Sequence, residues 1–191
     1  DTPRLKAAVD TNDPPTVQDT ANDYRSQLDS NLLLVTNASG KILASVGAPL
    51  LATVLSASEP SVRRALAGRE SQSLLAQPDG ILHLVTVPIA IGLSHPDMLG
   101  TLSVGFLLDD GFAAQLKQTT GSDIAFSMDG RMLAGTLSTD ERATLTQLVP
   151  ATGTRTVTLN GEEFVMLPVP LQTARDPDAP THTAVAWILR S

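Results

Sequence analysis

The sequence contains no cysteine, which excludes disulfides, thiolate metal sites and thiol nucleophiles. Aromatic residues make up only 3% of the chain, too few for a platform on which bases or sugars stack. Basic residues are also scarce, 13 Lys and Arg against 20 Asp and Glu, so the net charge is -7 and no basic stripe offers itself to nucleic acid. No block of like charge occurs. No apolar run approaches the ~18 residues of a membrane span, and no stretch within the 191 residues reads as a secretory leader. No Gly-x-Ser-x-Gly, phosphate-cradling glycine loop or dinucleotide fingerprint appears. The chain begins at Asp1 without Met and ends at Ser191 just past a strong strand, so it is expected to be part of a longer protein.

What is present is a repeated unit. Leu32 to Ala44 reads as apolar strand, polar turn and apolar strand, with Gly40 free to take positive φ and Asn37 and Ser39 as turn formers. Much the same unit returns from Ile124 to Ala134, and its turn Gly130 stands 90 positions after Gly40. The turns Pro78-Asp79-Gly80 and Asn160-Gly161 follow, with Gly80 and Gly161 offset by 81. The loops His95-Pro96-Asp97 and Asp176-Pro177-Asp178 share that offset of 81. The last strands, Thr101 to Leu108 and Thr183 to Leu189, are matched with Val104 against Val185, again 81 apart. A nearly constant offset indicates duplication. Its fall from 90 predicts a first-copy connection about nine residues longer, with more material to arch over the sheet. Any pocket is therefore expected in the first copy.

Local signals place the elements. Thr2-Pro3 starts one helix, and Thr16 is expected to cap a second after the Asn12-Asp13-Pro14-Pro15 interruption. Val17, Ala21, Tyr24 and Leu28 form its apolar stripe. Ala48 to Gly68 is helical, with Pro49 in a first turn, Leu51, Val54 and Leu55 on one face, a break expected at Glu59-Pro60, and Gly68 as C-cap. Leu93 to Leu99 is expected as loop, and Asp109 or Asp110 caps the helix that joins the copies. The second copy runs through strands 123–126 and 131–137, a helix from Thr139 to Val149, and strands 155–159, 162–171 and 181–189. The expected fold is α+β: two tandem PAS-like modules, each a five-stranded antiparallel sheet with helices on one face, behind a long N-terminal helix. The domains are 1–31 as helical stalk, 32–110 as first module and 111–191 as second.

Candidate chemistry is thin. His83, His95 and His182 lack metal-ligand spacing. His83 shares a strand face with Val85 and Val87, where it is either a satisfied histidine or a pocket donor. Ser103 and Gly105 are small residues in an apolar strand, leaving room for the N-terminal helix or for a ligand. Arg63 and Arg64 in the arch are candidate clamps for a carboxylate, or solvated surface charges. Asp109-Asp110 reads as a cap before a catalytic pair, and Trp187 as core. The candidate ligand-binding residues are His83, Val85, Arg63, Arg64 and Ser103; no catalytic residue, metal or cofactor is assigned.

The N-terminal helix, "LLLVTNASGKILA", "DGILHLVTVPIAIG", "GTLSVGFLLDD" and "LKQTTGSDIAFSMDGRMLAGTL", followed by a second such module, resemble the double Cache sensor domains over the whole chain. The resemblance implies a periplasmic sensor of a bacterial membrane receptor: a histidine kinase, nucleotide cyclase or chemoreceptor with flanking membrane helices. It also implies a small-molecule ligand in the membrane-distal first module, an organic acid being one candidate, and a homodimer along the N-terminal helix. No ligand contacts carry over, because Tyr24 is the only Tyr and the first module has no Trp. Two other classes stay open: a cytoplasmic PAS- or GAF-like regulator without a ligand, and an enzyme with an unrecognised site.

Overall fold

The computed structural model describes residues 3–47, 51–92, 97–148, 153–171 and 183–191, with the backbone alone for 51–58 and 148. The expected Thr2 cap, the Pro49 turn, the stripe Leu51, Val54 and Leu55, and the helix end at Val149 lie outside the described residues. So do His95, His182, Thr181, and the loops His95-Pro96 and Asp176-Pro177-Asp178. By compactness the chain divides into two units, Asp1–Leu75 with His83–Phe106, and Ala76–Leu82 with Leu107–Ser191.

The first sheet is led by two helices, α1 (Pro3–Asp10) and α2 (Pro14–Leu28). The interruption falls where expected, but the cap is Asp13, not Thr16. Asp13 accepts the Thr16 amide at 3.2 Å, and Pro14 and Pro15 begin the helix because the first turn needs no amide donors. The strands are β1 (Leu32–Asn37), β2 (Ile42–Gly47), β3 (Ser71–Gln77), β4 (Gly80–Ile91) and β5 (Asp97–Asp109), in the order β2-β1-β5-β4-β3. Strand β5 includes Asp97 to Leu99, expected as loop. Between β2 and β3 runs α3 (Leu51–Leu66). It continues through Pro60 rather than breaking there. Proline removes only the one bond its own amide would make, and burial of Ser61, Val62 and Ala65 holds the turn that follows.

Alternation along β1 sets two faces. Leu33 and Val35 pack with Leu5, Ala8, Val9, Val17 and Ala21 from α1 and α2. Leu34 and Thr36 point the other way. On that other face lies α3, because Ser61 shares a 2.7 Å hydrogen bond with Ser73 of β3 and its carbonyl accepts the Ser71 hydroxyl.

The second unit repeats the plan. After α4 (Asp110–Thr120) come β6 (Asp123–Met128), β7 (Arg131–Gly135), α5 (Thr139–Leu148), β8 (Arg155–Leu159), β9 (Glu162–Pro170) and β10 (Ala184–Arg190). Its strand order, β7-β6-β10-β9-β8, is that of the first sheet copy for copy. The ladder also slips at the same place in both copies, between Val35 and Thr36 and between Phe126 and Ser127. Anchored on that bulge, Leu34 corresponds to Ala125 and Thr36 to Ser127. Across the next ladder, Thr101 then corresponds to Val185 and Ser103 to Trp187. The sequence match of Val104 with Val185 is thereby corrected: register sets Val104 against Ile188. Alternating strands match nearly as well when slipped, and a slip of three residues reverses the face.

Candidate functional site

Local chemistry fixes the strands that carry the candidate positions. Asn37 Oδ1 accepts the Ser39 and Lys41 amides at 3.0 Å each, closing the β1–β2 turn around Gly40 at φ 80°. Gly100 sits directly against β1, where any Cβ would run into the Thr36 carbonyl. The two central strands are thus drawn together with Thr36 opposite Thr101 and Leu34 opposite Ser103.

On the α3 side of this sheet lies a floor of buried hydroxyls. Thr36 and Thr101 share a hydrogen bond of 2.8 Å, and Thr86 and Ser103 one of 2.9 Å. All four residues are at most 1% exposed, inside an otherwise aliphatic core. One rung runs across four strands, from Ser45 through Leu34 and Ser103 to Thr86. Ser45 Oγ is buried and has no hydrogen-bond partner among the described residues. A hydroxyl so placed retains bonding capacity that burial makes costly to leave unused.

The sequence-named residues are divided by this geometry. Ser103 belongs to the hydroxyl floor. His83 and Val85 alternate with Thr86 on β4, so they occupy the opposite face, where His83 Nε2 lies 3.4 Å from Gln72 Oε1. Burial lowers the His83 pKa below its ordinary value, since desolvation disfavours the imidazolium. Arg63 is exposed near the end of α3 and Arg64 is half-buried there. Sequence reading missed Ser45, Thr36, Thr86 and Thr101. The available signal was the run Thr101-Leu102-Ser103-Val104, whose hydroxyls fall on one face of a strand.

The second unit fills the equivalent space itself. Trp187, in the position of Ser103, is 1% exposed and packs with Ala125, Leu145 of α5, Val157 and Met166. Its Nε1 donates to Ser127 Oγ at 2.7 Å. The Asp109-Asp110 pair is spent on structure. Asp109 Oδ1 accepts the Phe112 amide at 2.8 Å as the α4 cap. Asp110 Oδ1 accepts the Gly135 amide at 2.7 Å and pairs with Arg142 at 2.8 Å. Among the described residues no cluster of three or more His, Asp or Glu is placed to hold a metal. Nor is any described helix long and apolar enough to cross a membrane.

Comparison with known proteins yields one family and a set of folds. The dCache_3 family model, described as a double sensory domain of two-component sensor kinase, matches residues 1–177. The periplasmic domain of Vibrio cholerae LuxQ superposes with a TM-score of 0.57 at 14% identity, covering 98% of this chain and 85% of that one. The ligand-binding domain of the Pseudomonas fluorescens chemoreceptor CtaA, solved with L-isoleucine, gives 0.53 at 10% identity, covering 97% and 79%. The V. cholerae DctB histidine kinase sensor domain gives 0.50 at 13% identity, covering 98% and 83%. A comparison with curated proteins finds no match.

Proposed function

Since the chain belongs to the double sensory domain family of two-component sensor kinases, we propose that it senses a small molecule on the outer side of a bacterial membrane, in its first unit. The observation that carries this reading is the exchange of Trp187 for Ser103 at equivalent rungs. The second unit plugs its interior with an indole, and the first presents a hydroxyl there. The sensory family and the spent Asp109-Asp110 carboxyls support a sensor rather than an enzyme.

The relay follows from strand alternation. Leu34 and Thr36 face the floor, while Leu33 and Val35, their immediate neighbours, hold α1 and α2. A ligand drawing α3 onto the floor shifts β1, and β1 carries the helices with it. The population shift equals the ligand's difference in affinity for the two arrangements. In the receptor, this displacement reaches a histidine kinase through the membrane, and pairing of the N-terminal helices makes the receptor a dimer.

Hydrogen exchange of the 191-residue domain during a metabolite screen tests the reading. The expected result is ligand-dependent protection of residues 32–36, 84–86 and 101–103. Protection confined to 124–128 and 184–190 would move the site to the second unit. Absence of protection with every metabolite would favour a module that works by protein contacts alone.

A further inference from the structure

Both sheets have an outer strand held at the same rung. In the first, Leu34 of β1 stands opposite Ser45 of β2, and in the second Ala125 of β6 stands opposite Gly135 of β7. The helix that leads into each sheet reaches that rung. Gln18 of α2 donates through Nε2 to the Ser45 carbonyl and accepts the Ser45 amide at Oε1, each at 3.2 Å. In the second sheet two charged side chains hold the same two backbone groups. Asp110, the first residue of α4, accepts the Gly135 amide at 2.7 Å, and Arg142 of α5 donates to the Gly135 carbonyl. The two charges pair with each other at 2.8 Å, and Arg142 Nε donates to the Leu137 carbonyl at 2.9 Å. A neutral clamp on one helix is thus replaced by a clasp that ties α4, β7 and α5 together.

The clasp stands where the chain passes from one unit to the other. Strand β5 belongs to the first unit as far as Phe106 and to the second from Leu107. No loop separates it from α4, since β5 ends at Asp109 and α4 begins at Asp110. Asp109 stiffens the junction by accepting the Phe112 amide as helix cap. A displacement of β5 therefore arrives at Asp110 without slack. The hold it meets there is reversible. The Asp110 side chain is 63% exposed, so water can replace its partners when the clasp opens. Arg142 is 24% exposed and keeps its bonds to the Gly135 and Leu137 carbonyls in either state.

We infer that the Asp110–Arg142 clasp is the coupling step by which movement of β5 in the first unit reaches strand β7 and helix α5 of the second. With the clasp closed, the start of α4 carries β7 and α5 with it; with the clasp open, α4 moves alone. These are the two states that a coupling element needs. Glu141, beside Arg142, extends the path, because its Oε1 accepts Asn160 Nδ2 at 3.0 Å in the β8–β9 turn. The coupling is a property of the chain without ligand; that it carries a signal rests on the sensing reading above.

Amide chemical shifts of the isotope-labelled 191-residue domain test it, with Gly135 as probe because its amide bonds directly to Asp110. Gly100→Ala displaces β5, since a Cβ there runs into the Thr36 carbonyl. Thr101→Val keeps the shape and removes the hydroxyl bond to Thr36, and it serves should Gly100→Ala fail to fold. The β5 substitution is expected to move the Gly135 and Leu137 amides while the clasp is intact. Added to Asp110→Ala, it is expected to leave Gly135 where Asp110→Ala alone puts it, while the amides of Phe112 to Leu116 still move. Gln18→Ala opens the neutral clamp of the first sheet and is expected to preserve the Gly135 response. A β5 substitution that leaves Gly135 unmoved with the clasp intact, or moves it equally in Asp110→Ala, overturns the inference. Loss of the response in Gln18→Ala assigns it to general loosening and overturns the inference too. Each outcome leaves the sensing reading to the metabolite-protection experiment.

Discussion

Trp187 and Ser103 occupy equivalent rungs, and the exchange of an indole for a hydroxyl sets what each unit can do. Trp187→Ala removes a buried ring and the N–H that donates to Ser127 Oγ, so it should cost about 3–5 kcal/mol. Because Trp187 is the chain's single tryptophan, the loss is read by exchange of the β6 and β10 amides rather than by fluorescence. His83 is a second residue with a measurable signature. Its folded pKa is lowered by burial, so as pH falls the unfolded chain takes up the proton first. The stability held above the unfolded value of about 6.5 then declines as pH drops through that value towards the folded one. Urea midpoints at pH 7.5 and 5.5 should fall with acid in the native chain, and His83→Gln should flatten the difference. At this scale the sequence showed Ser103 as a small residue in an apolar strand. It could not show that His83 and Val85 face the other way, because alternation says which residues share a face and not which helix covers it. Thr36, Thr86 and Thr101 were hidden for a related reason: β-branched hydroxyl residues are ordinary strand formers, and only pairing across strands turns them into a floor.

At the scale of elements, the tightest constraint is the approach of β5 to β1 at Gly100. A Cβ there meets the Thr36 carbonyl, a backbone atom that cannot swing aside. Gly100→Ala should therefore part the Asn37–Gly100 end of the ladder, seen as faster exchange of the Thr36 and Asn37 amides and a lowered unfolding midpoint. The helix α5 depends on a different device. Glu141 accepts the Ser138 amide and hydroxyl, each at 2.8 Å, in a capping box that also lowers the Glu141 pKa. Ser138→Ala should cost on the order of 0.5–2 kcal/mol. The glycine turns were readable in the sequence, as was the succession of strands and helices in each copy. The register of β10 was not. Apolar strands offer several near-equal matches to an offset. Thr16 and Pro60 misled for opposite reasons. A capping residue earlier in the chain took precedence over the first, and tertiary burial carried α3 past the second.

The molecule as a whole is acidic, with net charge -7, and that field acts on any ligand before the site does. For an anion it raises a barrier that salt relieves, and for a cation an attraction that salt weakens. A neutral molecule feels neither. The affinity of a neutral ligand for the domain should therefore change less than about twofold between low and physiological ionic strength, since no counter-ion is exchanged on binding. Binding of an anionic ligand should strengthen as salt is added, and that of a cationic one should weaken. The duplication visible in the sequence gives this comparison its internal control. The second unit has the same strand order, but Trp187 already occupies the rung in question. Salt-independent shifts confined to amides of the first sheet would thus assign the effect to the hydroxyl floor. Shifts that track ionic strength in both sheets alike would mark adsorption to the acidic surface, and with it the end of a site confined to the first unit.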